Sequence, residues 1–147
     1  MAVAENRLQY VTFGPLSHWN FGTGSHSFSK GFEVAYWNYP PGQPLMDGGQ
    51  PIPGDGEIGF GMDIGFEWER QKVRCYLEPQ LGMSIAGISA GPVAEWTYGG
   101  QPVQVGMQAS AWTNPVFAGV DIRGRWMDGK RFLSPGLSAK IPIRVSQ

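Results

Sequence analysis

The chain has 147 residues, enough for one domain with a buried core, and a formal net charge of −1. Only 16% of its residues are charged, below the ~25% of typical soluble domains. It has no basic patch, so nucleic acid is not expected as a partner. Aromatic residues make up 13% of the chain and glycine shows no regular period, which excludes disordered and collagen-like proteins. We interpret residues 1–147 as a single domain.

The N-terminal part contains two short predicted strands, 8–13 and 31–39. The Ser/Gly/His-rich stretch 17–29 between them is interpreted as a loop. Two histidines eight residues apart, without a nearby Cys or Asp, are a weak indication of a metal site. His18 and His26 are therefore interpreted as polar loop residues, and no metal is predicted.

The next predicted elements are a long loop and the clearest strand of the chain. Residues 40–56 are rich in Pro and Gly and are predicted to be the longest unstructured segment. In residues 57–70 every second side chain is apolar, which is typical of a β-strand. Residues 72–85 repeat the pattern after a very short connection, so the two segments are predicted to form a tight hairpin.

The alternation continues through four further predicted strands, 88–96, 103–112, 117–126 and 131–143. Asp128 and Gly129, between the last two, form a dipeptide favoured in hairpin turns.

Short connections between these segments predict an all-β fold, an antiparallel up-and-down barrel of about eight strands. An open meander would expose two unpaired edges, so 8–13 is expected to pair with the last strand and close the barrel. Prolines inside predicted strands remove ladder hydrogen bonds, and we expect bulges or a strand break there. These prolines are Pro79, Pro92, Pro135 and Pro142.

The two faces of the predicted sheet differ in chemistry. One face is aliphatic and aromatic, and includes Ile58, Phe60, Met62, Ile64, Phe66, Trp68, Leu77, Leu81, Met83, Val105, Met107, Val120 and Ile122. The other combines Gly and Ser with acidic and basic residues that we expect to form an ion network, either in a lumen or on a surface. These are Asp63, Glu67, Arg74, Glu78, Glu95, Asp121, Arg123 and Arg125.

Three observations favour an outer-membrane barrel with its apolar face against lipid. Small residues on the polar face suit a narrow lumen, and charges of opposite sign can compensate one another there. Aromatic residues near the predicted strand ends suit a girdle at two membrane interfaces. The expected girdle comprises Tyr10, Trp19, Trp37, Tyr39, Trp68, Trp96, Tyr98, Trp112 and Trp126.

The segments GFGMDIGFEW, LEPQLGMSIAGISAGPVAEW and GVDIRGRW carry this alternation most clearly. Over residues 56–143 the pattern resembles the small eight-stranded outer-membrane β-barrels of Gram-negative bacteria. The resemblance implies a lipid bilayer as partner and a structural or adhesion role, or a very narrow pore. Those proteins usually end on a strand whose last residue is aromatic, whereas this chain ends in IPIRVSQ.

The alternative is a soluble, lipocalin-like barrel that binds an apolar small molecule in its interior. The N-terminal MAVAENRLQYV has no basic region followed by an apolar stretch, so no signal peptide is expected. That observation favours a cytoplasmic location and the soluble alternative.

An enzyme is the least favoured class. GISAG lies within a predicted strand and lacks the strand-to-helix turn of a nucleophile elbow. GFGMDIG alternates as a strand and no helix follows it, which excludes a phosphate-binding loop. No catalytic residue and no cofactor are predicted.

Overall fold

The described part of the chain is built from antiparallel β-strands. A computed structural model describes residues 8–39, 58–83, 85–114 and 117–145. Within them it contains no helix and nine strands: β1 (Leu8–Gly22), β2 (Ser25–Tyr39), β3 (Ile58–Glu69), β4 (Lys72–Met83), β5 (Ala86–Thr97), β6 (Gln104–Thr113), β7 (Ala118–Met127), β8 (Lys130–Ala139) and β9 (Ile141–Arg144). None of the described residues therefore belongs to a helix of the length and apolarity that a membrane span requires.

The sheet closes on itself. Each strand from β2 to β7 pairs with the one that follows it in the chain, and β1 pairs with β2 on one side and with β8 and β9 on the other. Because β8 and β9 lie one after the other along β1, the barrel wall has eight strand positions. The predicted closed antiparallel barrel of about eight strands is confirmed.

The strand register sets the tilt of the barrel. A row of paired residues starts at Trp68 and passes through Lys30, Ser17 and Leu137. It continues through one residue on each of β7, β6, β5 and β4, and returns to β3 at Ile58. The row is thus displaced by ten residues over eight strand spacings. With ~3.3 Å per residue and ~4.8 Å between strands, this displacement tilts the strands by about 40° from the barrel axis.

The two ends of the barrel differ. At the end we call the turn end, tight connections join β1 to β2, β3 to β4 and β7 to β8. Asp128 and Gly129 both have positive φ, 47° and 71°, as a two-residue hairpin turn of the predicted kind requires. The opposite end, where β1 begins and β9 ends, we call the terminal end.

The predicted loop at 17–29 is wrong. These residues form the turn-end halves of β1 and β2, joined by a turn in which Gly24 has a φ of 75°. Trp19 and Phe28 point outward while His18 and Ser29 point inward, so the alternation continues through the stretch. Its Ser and Gly content concealed that period. The other predicted loop, 40–56, lies outside the described residues.

The prolines interrupt the ladder without bulges. Pairing between β4 and β5 stops after Tyr76 with Val93 and resumes at Gln80 with Ser89, with equal numbers of residues between, so the expected bulge at Pro79 and Pro92 is wrong. The expected strand break does occur in 131–143, where Lys140 separates β8 from β9.

Candidate functional site

The apolar face of the wall points outward. Every residue assigned to that face from the sequence is between 40% and 67% exposed, from Met62 at the low end to Val105 at the high end. These side chains lie on β3, β4, β6 and β7, and Phe32, Ile88 and Leu137 extend the surface over β2, β5 and β8. The described outer wall is therefore apolar around the barrel.

The charged face points inward. Seven of the eight residues assigned to the ion network are at most 4% exposed: Asp63, Glu67, Arg74, Glu78, Glu95, Arg123 and Arg125. The eighth, Asp121, has a side chain that is 8% exposed. Much of the interior is thus occupied by charged and polar groups, which must find partners because water does not reach them.

Glu67 lies at the centre of this network and is fully buried. Its Oε1 accepts hydrogen bonds from Arg123 Nη1 at 2.9 Å and from Arg125 Nη2 at 3.3 Å. Ser29 Oγ donates to its Oε2 at 3.0 Å, and His18 Nδ1 lies 3.4 Å from Oε1. One carboxylate thereby connects β3 to β1, β2 and β7.

A second group of ion pairs lies nearer the turn end. Arg74 Nε donates to Glu95 Oε2 at 2.5 Å, and its Nη2 donates to Glu69 Oε2 at 2.6 Å. Lys72 Nζ lies 3.0 Å from Glu95 Oε1. Arg74 Nη1 is also 3.7 Å from Glu67 Oε2, so the two groups form one continuous network.

His18 was interpreted from the sequence as a loop residue, and this interpretation is wrong. Its side chain is fully buried on β1, and Nε2 lies 2.8 Å from Asp121 Oδ2. The space for the ring comes from Gly136 on the neighbouring strand, where a Cβ would lie 2.2 Å from His18 Cδ2. His26, by contrast, is exposed near the turn end of β2.

Sequence reasoning missed three further members of the interior. Tyr76 donates its hydroxyl to Glu33 Oε2 at 2.6 Å, and the Arg123 guanidinium carbon lies 4.5 Å from the centre of the Tyr76 ring. Lys140 forms an ion pair with Glu33 through Oε1, the carboxylate oxygen that Tyr76 does not bind. Glu33 and Lys140 both have the parity of the charged face within the predicted strands 31–39 and 131–143, so alternation was a usable signal for both.

Asp63 and Glu78 lie inside the barrel but outside the ion pairs of the described residues. They occupy directly paired positions on β3 and β4. Glu78 Oε2 accepts a hydrogen bond from Ser89 Oγ at 2.8 Å, and Ser89 Oγ lies 2.5 Å from Ser110 Oγ. Glu78 is thus held by a hydroxyl group instead of a cation, whereas Asp63 forms a hydrogen bond with Glu33.

The aromatic residues expected in a girdle divide into an exposed group and an interior group. Trp19, Trp68, Trp96 and Trp126 are outward, 42% to 50% exposed, and lie toward the turn end, and Tyr98 is exposed in a turn there. At the terminal end, Tyr10, Trp37 and Tyr39 are only 6% exposed and form an interior cluster. Trp112 packs against that cluster, with its ring centre 5.5 Å from that of Trp37.

The chemistry available to this interior is limited by its burial. Within the described residues, no group of His, Cys, Asp or Glu side chains has the arrangement of a metal site. His18 and Glu67 are both fully buried, so a substrate has no approach to them. The arrangement of ion pairs and hydrogen bonds can hold the strands together.

No protein-family profile matches the sequence, and no curated protein is similar to it. Two solved structures of Ail, the attachment invasion locus protein of Yersinia pestis, resemble this chain at low similarity. One, in complex with the heparin analogue sucrose octasulfate, is 13% identical, covers 94% of this chain and 99% of Ail, and has a TM-score of 0.36. The other is 12% identical, with coverages of 95% and 99% and a TM-score of 0.29. Neither likeness assigns the chain to a family.

Proposed function

We propose that the protein is a membrane-anchored barrel of the outer-membrane type with a structural or adhesion role. The observation that carries the proposal is the ring of large apolar side chains that are exposed on the outside of the barrel and surround a charged interior. A soluble protein rarely exposes a contiguous apolar surface of more than a few hundred Å². In a bilayer the same surface contacts acyl chains, which is the arrangement of known transmembrane β-barrels.

The dimensions of the barrel support a bilayer as its surroundings. β3 has 12 residues. At ~3.3 Å per residue and the ~40° tilt derived from the register, such a strand spans roughly 30 Å along the barrel axis. The hydrocarbon part of a bilayer is about 30 Å thick.

The outward tryptophans support the same surroundings. Trp19, Trp68 and Trp126 lie toward the turn end, each on a different strand. Tryptophan is enriched where hydrocarbon meets headgroups, because its ring is apolar and its N–H is polar. The ring of tryptophans would therefore mark one membrane interface.

The packed interior supports an anchoring role over a pore. A water-filled channel leaves the side chains that line it exposed to water. His18, Glu67 and Glu78 are fully buried, and Arg125 and Gln108 are 1% exposed. An eight-stranded barrel is just wide enough for side chains to fill it. The proposed role is thus to hold the segments that join the strands at the membrane surface, where they can contact a partner.

The soluble alternative requires an apolar cavity that binds a hydrophobic molecule. The described interior instead contains arginine, glutamate and histidine side chains, while the apolar face is outside. An apolar molecule bound among these charged groups would separate them from their ion-pair partners, and a buried charge without a partner is strongly unfavourable. This observation opposes the lipocalin-like hypothesis.

Reconstitution tests the proposal. We expect urea-unfolded protein diluted into phosphatidylcholine vesicles to float with them and to resist alkaline carbonate extraction. A protein that is monodisperse in buffer without detergent would contradict membrane insertion. Planar bilayers containing the inserted protein should show no stepwise conductance, and stable conductance steps would contradict the anchoring role.

A further inference from the structure

Lys30 is unusual on the outer wall. It is exposed on β2, and no described carboxylate forms an ion pair with it. In its row of the sheet it lies between Trp68 on β3 and Ser17 on β1. A cation beside the tryptophan ring lies at the depth where lipid phosphates meet the hydrocarbon, if the barrel is inserted as proposed.

A groove of about 600 Å³ runs along the outer wall beside Lys30. Small residues such as Ser17, Gly31 and Ala139 line it together with larger apolar ones. Its lining also includes Lys30, Phe32 and Leu137. This volume lies within the range of roughly 300–1,000 Å³ typical of small-molecule sites.

Lys30 and Ser17 give this groove polar groups in one row of the sheet, and apolar side chains lie on both sides of that row. Lys30 and the Ser17 hydroxyl belong to the row of Trp68, toward the turn end. Pro15 and Ala139 lie two residues further toward the terminal end on β1 and β8, and Phe32 does so on β2. Phe28 lies two residues beyond Lys30 on the turn-end side, so the groove places Lys30 and Ser17 beside apolar surface that an acyl chain can cover.

We propose that this groove binds one anionic membrane lipid, with its phosphate against Lys30 and Ser17 and an acyl chain along Phe32 and Leu137. The proposal rests on the membrane insertion proposed above. A lysine ammonium binds phosphate as a compact point charge with three donors, and a serine hydroxyl can add one hydrogen bond. Because Lys30 has no ion-pair partner among the described residues, its charge favours an anionic headgroup over a zwitterionic one.

The chain offers a matched control. Arg131 on β8 is another exposed cation that pairs across the sheet with an outward tryptophan, Trp126. It is absent from the lining of the groove. If Lys30 only attracted anionic lipids in a general way, Arg131 would do the same.

Native mass spectrometry of the full chain tests the proposal. Protein inserted into vesicles of phosphatidylcholine with a minor fraction of phosphatidylglycerol is released into mild detergent, and retained lipids are counted. We expect the wild type to retain one phosphatidylglycerol, and Lys30→Gln to lower its occupancy about fivefold, the effect typical of one lysine near an anionic surface. Arg131→Gln should retain phosphatidylglycerol at the wild-type occupancy.

A second variant separates the groove from the charge. Ser17→Leu keeps Lys30 but fills the groove, and it should also lose the retained lipid. Retention of phosphatidylglycerol by Lys30→Gln or Ser17→Leu at the wild-type level would overturn the proposal. Glycerol phosphate has the headgroup phosphate but no acyl chain, so displacement of the retained lipid by glycerol phosphate would also overturn it.

The outcome also distinguishes this proposal from the proposed function. Wild type that inserts but retains phosphatidylcholine and phosphatidylglycerol equally would overturn the lipid site alone. Wild type that does not float with vesicles would overturn both.

Discussion

The outer and inner faces of the barrel wall differ in how each side chain is held. On the outer face, Ile64 and Phe66 are half exposed, so much of their surface faces whatever surrounds the barrel. On the inner face, Glu67 is fully buried and contacts groups from four other strands. Outer residues therefore need only the right polarity, whereas inner residues need one particular set of partners.

The largest expected effect comes from removing a central inner charge. Glu67→Gln leaves the Arg123 and Arg125 guanidinium groups without their shared carboxylate. Breaking a buried ion pair from one side typically costs ~3–5 kcal/mol. We expect that loss in the free energy of unfolding, measured by urea titration of vesicle-inserted protein with tryptophan fluorescence.

Glu69→Gln is the matched control on the same strand. Glu69 is 14% exposed, and its partner Arg74 keeps Glu95. We expect a cost below ~1 kcal/mol, as for partly exposed ion pairs. Equal losses of unfolding free energy for Glu67→Gln and Glu69→Gln would contradict the larger contribution assigned to the central carboxylate.

The next effect tests what surrounds the outer face. Ile64→Arg places a charge near the middle of β3, where a bilayer would be deepest. We expect a loss of about 2–4 kcal/mol, but only ~0–1 kcal/mol for Ile58→Arg at the end of the same strand. The same urea titration measures both. If water surrounds the wall, the two variants should be similar and nearly neutral.

The smallest effect compares packing on the two faces. A Cβ added at Gly65 would lie 2.0 Å from Cζ of Tyr76, which is 3% exposed and bonded to Glu33. Gly65→Ala should cost ~1–3 kcal/mol through overpacking.

Gly124→Ala is its counterpart at a position that shares the outer face with Trp126. The added Cβ would lie 3.0 Å from the tip of the Trp126 ring, which is 48% exposed and free to shift. We expect a change within ~0.5 kcal/mol by the same measurement. A larger loss at Gly124 than at Gly65 would contradict the tighter packing assigned to the inner face.

Alternation alone predicted most of the strands and the membership of both faces, because a side-chain period of two is a strong and local signal. It did not predict which face is inside, since the period is the same in either case. The interior position of Trp37 and Tyr39 could also have been predicted from the alternation. They share parity with Glu33, so the pattern already placed them on the charged face.

The partners inside the barrel were beyond sequence reasoning. His18 and Asp121 meet although 103 residues separate them, because β1 pairs with β8 and β8 with β7 in one particular register. A change of register by two residues would keep every side chain on its face and replace every such contact. Long-range register therefore decides the network, and local patterns do not contain it.

The pairing of β1 with β8 and β9 has a consequence for how the chain is made. Leu16 pairs with Ser138, so the first strand must wait for the last before the wall is complete. Until then both edges of the sheet are open, and unpaired edges of this kind recruit other chains into aggregates. Folding of this chain is thus a post-translational event, and a nascent copy needs protection until synthesis has passed the final strand.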